Sequence, residues 1–366
     1  MENKDNRAFF SVIIPCYNSN PDKIKELMDS IIEAGCQYET EIVVSDDRSF
    51  EKEYINTIEE YKDKFYDIKI VDVPTKDING TILINSPANN RENGVRNSTG
   101  KWITFVDHDD LLEKDALIKV KDAIEETGEN FIVYSNFKIL DMVTNEERIL
   151  EGEDICNWLH GKFYNLDNFW KAFDFHFKTN IQSHEDIAIA TKMKCICNRF
   201  ISKLLYPDIC TYVWRKWPNS VSHIRSDFGR NFVKYIYDYF YDFIKATMET
   251  YVEDYDDLLN KNNLTDQICE FHKNSQIDII LYMYFYIQVF KYNYTVDFNN
   301  KYEAEVKYHI HQFYKRFNMN PVILYDYACT LNDTGYEIWF TTVRKSVLNH
   351  MGLFIETDSF YDFISK

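Results

Sequence analysis

Glycine and proline are scarce, at 10 and 7 in a chain of 366 residues. That excludes a collagen-like repeat or a Pro/Gly-rich disordered tract. Positive charge is also short: 41 Lys and Arg stand against 59 Asp and Glu, a formal net charge of −18. Such a surface repels phosphate backbones and anionic headgroups on average, which argues against a general nucleic-acid or membrane coat. No apolar run approaches the roughly 20 residues needed to cross a bilayer, and the longest, Ile279 to Phe290, reads as a buried helix. The N-terminus, MENKDNRAFF, lacks the apolar core and small-residue cleavage site of a secretory signal, so a cytoplasmic protein is expected. Cysteines Cys16, Cys36, Cys156, Cys195, Cys197, Cys210, Cys269 and Cys329 are scattered without zinc-site spacing and are expected to be free thiols.

What is present is core-building material. Hydrophobic residues make up 45% and aromatics 16% of the chain, enough for a sizeable core, and the length suggests two domains. The first half alternates strand-like and helix-like stretches. Phe9 to Cys16 is nearly continuously apolar, as in a strand buried on both faces of a parallel sheet. Asn20 then offers a helix cap, Pro21 a first helical position, and Ile24, Leu27, Met28, Ile31 and Ile32 a helical spacing that Gly35 stops. The alternation continues with a strand at 41–45, a helix at 51–65, strands at 68–73 and 102–106, a helix at 114–126 and a strand at 131–140. Repeated βα units build an open, mostly parallel α/β sheet that binds ligands at the carboxyl ends of its strands. From about residue 229 aromatics crowd helical-looking segments, predicting a mostly helical C-terminal domain over 229–366.

One stretch reverses the global charge. From Lys192 to Lys234 nine basic residues (Lys192, Lys194, Arg199, Lys203, Arg215, Lys216, Arg225, Arg230 and Lys234) face only Asp208 and Asp227, a local net of +7. It reads either as a solvated face or as the seat of an anionic ligand.

Two carboxylate clusters carry chemistry. The strand ending at Val106 runs into Asp107-His108-Asp109-Asp110, where crowded negative charge suits a divalent cation with open positions for phosphate oxygens, or else an acidic turn capping the next helix. Ser183-His184-Glu185-Asp186 has capping-box spacing, and a carboxylate ionised at a helix start also suits a general base.

The ordered set is specific. Ser11 to Asn18 (SVIIPCYN), Val43 to Ser49 (VVSDDRS), Arg91-Glu-Asn-Gly94, Phe105 to Asp110 (FVDHDD), Gly161 to Tyr164 and Glu185-Asp186 resemble, in order and spacing, the family-2 glycosyltransferases of GT-A fold over about residues 9–225. The resemblance implies a nucleotide-sugar-binding catalytic domain over 1–228 and inverting transfer of a sugar from a nucleotide sugar, a UDP-sugar, to an acceptor hydroxyl. It implies that Pro15 and Tyr17 pack on the nucleotide, that Asp47 or its neighbour Asp46 bonds the uracil edge, and that Arg91 contacts the nucleotide. Asp107 and Asp109 match the family's Asp-x-Asp motif, Asp109 as direct ligand to Mn²⁺ or Mg²⁺ and Asp107 facing ribose or metal. Asp186 matches the catalytic base, and Arg215, Lys216 and Ser220 the diphosphate contacts. The chain departs from the pattern in placing Arg48 at a turn glycine, Glu92 where Asn is usual and Trp217 where His is expected. The resemblance leaves open an acceptor glycan, protein, lipid or modified nucleic-acid base, and self-association through the C-terminal domain. Two rival readings are a nucleotidyltransferase on a similar sheet and a catalytically silent sugar-nucleotide-binding or scaffold module.

Overall fold

The computed structural model describes residues 7–128, 131–151, 159–173, 185–186, 189, 193, 203–205 and 207–218. The chain divides into two units, Met1–Phe232 and Val233–Lys366, and every described residue lies in the first. The boundary expected at 228/229 and the helical reading of 229–366 fall outside the described residues.

β1 (Phe10–Cys16) and β2 (Thr40–Asp46) are buried along almost their whole length, as strands covered on both faces are; β2 carries Thr40, Glu41, Ser45 and Asp46 into that interior beside Ile42, Val43 and Val44. Between them runs α1 (Pro21–Glu33), capped by the Asn20 side chain on the Asp22 and Lys23 amides and followed by Gly35 at φ +86°. The expected helix over 51–65 is shorter. α2 (Glu53–Glu59) ends before a 3₁₀ turn at Lys62–Lys64 and has no side-chain cap at its start. β3 (Asp67–Asp72), α3 (Pro87–Asn97), β4 (Trp102–Phe105), β5 (Leu111–Leu112) and α4 (Ala116–Thr127) follow.

The strand expected over 131–140 is two strands. β6 (Phe131–Tyr134) and β7 (Asn136–Asp141) belong to different sheets. The chain changes sheet at Ser135, whose buried hydroxyl lies 2.7 Å from the Gly161 carbonyl and 2.5 Å from Thr211 Oγ1. β8 (Glu147–Leu150), β9 (Lys162–Asn165), α5 (Leu166–Phe173), β10 (Lys203–Leu205) and β11 (Cys210–Lys216) complete the described elements.

The larger sheet has the order β10-β6-β9-β4-β1-β2-β3 and the smaller β5-β11-β7-β8. β3, β2, β1 and β4 run parallel, as do β10 and β6, while β9 is antiparallel to both its neighbours. The result is a mixed α/β fold with a mostly parallel sheet. Strand order proceeds outward from β1 to β3 and then resumes at β4 on the other side of β1, which makes the gap between β1 and β4 a topological switch point. α3 lies close against β1: a Cβ on Gly94 would meet Ile13 Cγ2 at 2.3 Å.

Candidate active site

The carboxyl ends of β1, β2 and β4 open onto one another at the switch point. Pro15 is half-buried at the end of β1, and Tyr17, just beyond it, is exposed with its ring edge-on to Phe50 at 6.5 Å.

The two aspartates at the carboxyl end of β2 are buried and engaged. Asp46 accepts from the Ser49 amide at 3.1 Å and from the Ser49 hydroxyl, and pairs with Lys52 at 2.6 Å. Burial opposes its charge, but Lys52 and Ser49 outweigh burial and lower its pKa. Asp47 accepts from the Ser86 amide at 2.7 Å, at the start of α3, and from Arg48 at 2.9 Å, while burial pushes its pKa up. Arg48 takes φ +61°, the left-handed backbone that a glycine would adopt freely. The turn therefore keeps a glycine's backbone shape, and the arginine side chain ties it to the Leu83 carbonyl at 2.8 Å.

Arg91 projects from α3 and is buried between two carboxylates. Its Nη2 donates to Asp107 Oδ1 at 2.7 Å, and its Nη1 is bonded to Glu185. Burial opposes the guanidinium charge, but Asp107, Glu185 and Asp186 more than compensate and hold it protonated. Asp186 follows Glu185 on a helical turn and is half-buried, whereas Glu185 is buried. Burial and the neighbouring Asp186 push the Glu185 carboxyl up to about 7 against the pull of Arg91.

The turn after β4 sorts its three carboxylates by partner. Asp109 faces Lys23 of α1 at 3.4 Å, and Lys23 lies over the Trp217 ring at 3.9 Å. Asp110 accepts from the Tyr212 hydroxyl at 2.6 Å and from the Arg215 amide at 2.7 Å. Burial, with Asp107 and Asp109 alongside, raises its pKa well above the usual range. Asp107 goes the other way, since Arg91, His160 and His108 together outweigh its burial.

Ligand atoms of Asp107, Asp110 and His160 lie within 4.8 Å of one another. His160 is fixed by aromatic neighbours, stacked on Trp214 at 5.7 Å and edge-on to Tyr212 at 4.8 Å. Burial lowers its pKa to about 4, which keeps the imidazole neutral, the form that ligates metal. Two carboxylates and a neutral imidazole fit a divalent ion of the Mn²⁺ class.

Sequence motifs named Asp107 and Asp109; the geometry groups Asp107 with Asp110 and His160 and sets Asp109 beside Lys23. Arg215 is buried, its Nε donating to the Asp109 carbonyl at 2.5 Å and its Nη1 bonded to Glu26. Lys216 is half-buried at the end of β11. Ser183 and Ser220 fall outside the described residues. Lys23 and His160 had no motif to announce them; Tyr212 opens the stretch that carries Arg215 and Lys216, and Asp110 was visible only as the last member of an acidic run.

Residues 11–204 match the family described as Glycosyl transferase family 2. Among curated proteins the chain is 28% identical over 152 residues to the uncharacterized protein y4gI of Sinorhizobium fredii, covering 42% of this chain and 15% of that protein. It is 29% identical over 110 residues to the poly(ribitol-phosphate) beta-glucosyltransferase of Bacillus spizizenii, covering 30% and 16%. The chain thus spans only about a sixth of these relatives. Of solved structures, S. aureus TarS aligns with a TM-score of 0.49 and 22% identity over 67% of this chain and 39% of TarS. TarS 1–349 in complex with UDP-GlcNAc aligns with a TM-score of 0.48 and 22% identity, over 66% and 69%. With the family match running through more than half of its length and through the switch-point site, the chain belongs to glycosyl transferase family 2.

Proposed function

We propose that this chain transfers a sugar from a UDP-sugar to an acceptor hydroxyl with inversion, using a divalent ion and Asp186 as general base. One observation carries the reading. A donor set suited to a divalent ion (Asp107, Asp110 and His160) and a helix-borne carboxylate pair (Glu185 and Asp186) meet around Arg91 at the switch point, where α/β sheets bind their ligands. The ion would supply positive charge to the diphosphate, and Asp107, Asp110 and His160 would hold it. Asp186 takes the proton of the acceptor hydroxyl as its oxygen attacks the anomeric carbon, and the bond to the diphosphate oxygen breaks with UDP leaving. Lys23, Arg215 and Lys216 bring positive charge that offsets the negative charge a diphosphate brings to an acidic protein. No helix among the described residues is long and apolar enough to cross a membrane.

UDP release in the presence of Mn²⁺ and candidate acceptors tests the proposal. Chelation is expected to abolish turnover, and Asp110→Asn to weaken Mn²⁺ binding measured directly by titration. Full activity in excess chelator overturns the metal assignment. Pyrophosphate release in place of UDP release identifies a nucleotidyltransferase, and donor binding without turnover a silent module.

A further inference from the structure

We propose that Arg91 is a positioning residue, a latch that holds the helical turn carrying Asp186 to the turn carrying Asp107. The inference rests on the transferase reading above and replaces the expected nucleotide contact for this arginine.

Arg91 belongs to neither of the elements it joins. It is rooted in α3, which is fixed to the sheet by the close approach at Gly94 and by side-chain amides: Asn90 donates to the Cys16 carbonyl at 3.0 Å and Asn93 to the Ser45 hydroxyl at 2.9 Å. From this base one guanidinium reaches Asp107 with Nη2 and Glu185 with Nη1. Arg91 is 8% exposed and Glu185 6%, so water and salt screen the pair little. A planar fork can hold two carboxylates on two elements at fixed angles, which a single ammonium cannot.

The far side of the joint explains why a directional contact is needed there. Glu185, Ile189 and Met193 recur at helical spacing and are all buried, the two apolar residues in the cluster that contains Ile13 and Val95. Apolar contact seats that face but tolerates sliding and rotation. The Arg91–Glu185 pair sets its register, and with it the direction in which the adjacent Asp186 points. Because the same guanidinium grips Asp107, the base and the carboxylate beneath the diphosphate are held in one frame.

Arg91→Lys keeps the charge and removes the fork. It is expected to leave UDP affinity and donor KM nearly unchanged while kcat for transfer falls about 10²-fold, the scale of a small misplacement of a reacting group. Amide exchange around Glu185 and Asp186 should quicken in the same variant. Glu185→Gln, which keeps shape, should lower kcat in the same direction but less, and the double variant should fall no further than Arg91→Lys alone. If Arg91→Lys does not fold, Glu185→Gln with the exchange measurement carries the test by itself. A folded Arg91→Lys protein with wild-type kcat and exchange overturns the latch, as does a raised donor KM at unchanged kcat, which makes Arg91 a donor contact. If wild type releases no UDP but Arg91→Lys still loosens the Glu185 segment, the transferase reading fails and the latch stands.

Discussion

The two ends of the parallel sheet bury carboxylates in opposite ways. At the amino end, Glu41 of β2 is fully buried and accepts from the Ser11 hydroxyl at 2.5 Å, from the Thr99 amide and hydroxyl at 2.8 Å each, and from Lys69. Burial works against its charge, but these donors win and lower its pKa. At the carboxyl end, Asp107 and Glu185 share Arg91, Asp109 has Lys23, and Asp110 has only the Tyr212 hydroxyl and the Arg215 amide; burial and neighbouring carboxylates push Asp110 and Glu185 upward. A satisfied buried charge joins strands together. Charge crowded beyond its local compensation is the feature on which the proposed ion site and transfer rest.

The sharpest way to break this contrast is Asp186→Asn. The amide keeps the carboxylate's shape but cannot take the acceptor's proton, so turnover should fall roughly 10²- to 10⁴-fold while nucleotide affinity and fold persist. Near wild-type transfer by Asp186→Asn, alongside a severe loss in Glu185→Gln, would assign the base to Glu185 instead.

At the other end Glu41→Ala should cost stability and spare the chemistry. Loss of a charged acceptor for three sets of donors is expected to lower the unfolding free energy by about 2 kcal/mol, with kcat per folded molecule unchanged. Denaturant titration beside an activity assay reads both, and a large fall in kcat in the folded variant would mean the two ends are not separate.

The pH dependence should carry opposite signs at the two ends. The pKa of Glu41 is lowered by folding, so its contribution is present above the unfolded carboxyl value of about 4.3 and is lost as the medium becomes more acid. Glu185 at about 7 binds in the folded state a proton that the unfolded chain has released, so its contribution declines as pH rises from about 4.3 to 7. Urea midpoints across pH should therefore lose their acid-side drop in Glu41→Gln and part of their neutral-side decline in Glu185→Gln. Identical profiles in wild type and both variants would refute the assignment.

The smallest effect is expected at Arg48→Gly, in the turn that follows β2 at the carboxyl end. Glycine relieves the left-handed strain but gives up the bonds to Asp47 and Leu83, so stability should move by no more than about 1 kcal/mol. A much larger loss in thermal denaturation would show that the arginine side chain, not the backbone shape, holds the turn.

What could be read along the chain was whatever local pattern alone determines. The largely apolar runs of β1 and β4, the short apolar centre of β2, the Asn20 cap with Pro21, and the ordered motifs that resemble family 2 point to the sheet and its carboxyl-end loops. The full span of α3 was not legible, because its buried residues 89–93 (NNREN) are polar and carry no apolar stripe; Asn90 and Asn93 bond to the strands beneath, Arg91 to Asp107 and Glu185, Asn89 to the Ile84 carbonyl and Glu92 to Arg96. The change of sheet at Ser135 was hidden for a similar reason, since the strand-like character of 131–140 runs straight through it. Ligand grouping was the least legible of all. Asp107, Asp109 and Asp110 are near-equivalent in sequence, and only the approach of His160 and Tyr212 to one side of the turn, Lys23 to the other and Arg91 from α3 gives each carboxylate its own partner. Charge and period are local properties that a sequence can carry, whereas which of three adjacent carboxylates meets which partner depends on contacts between residues distant in the chain, and the tertiary structure alone decides it.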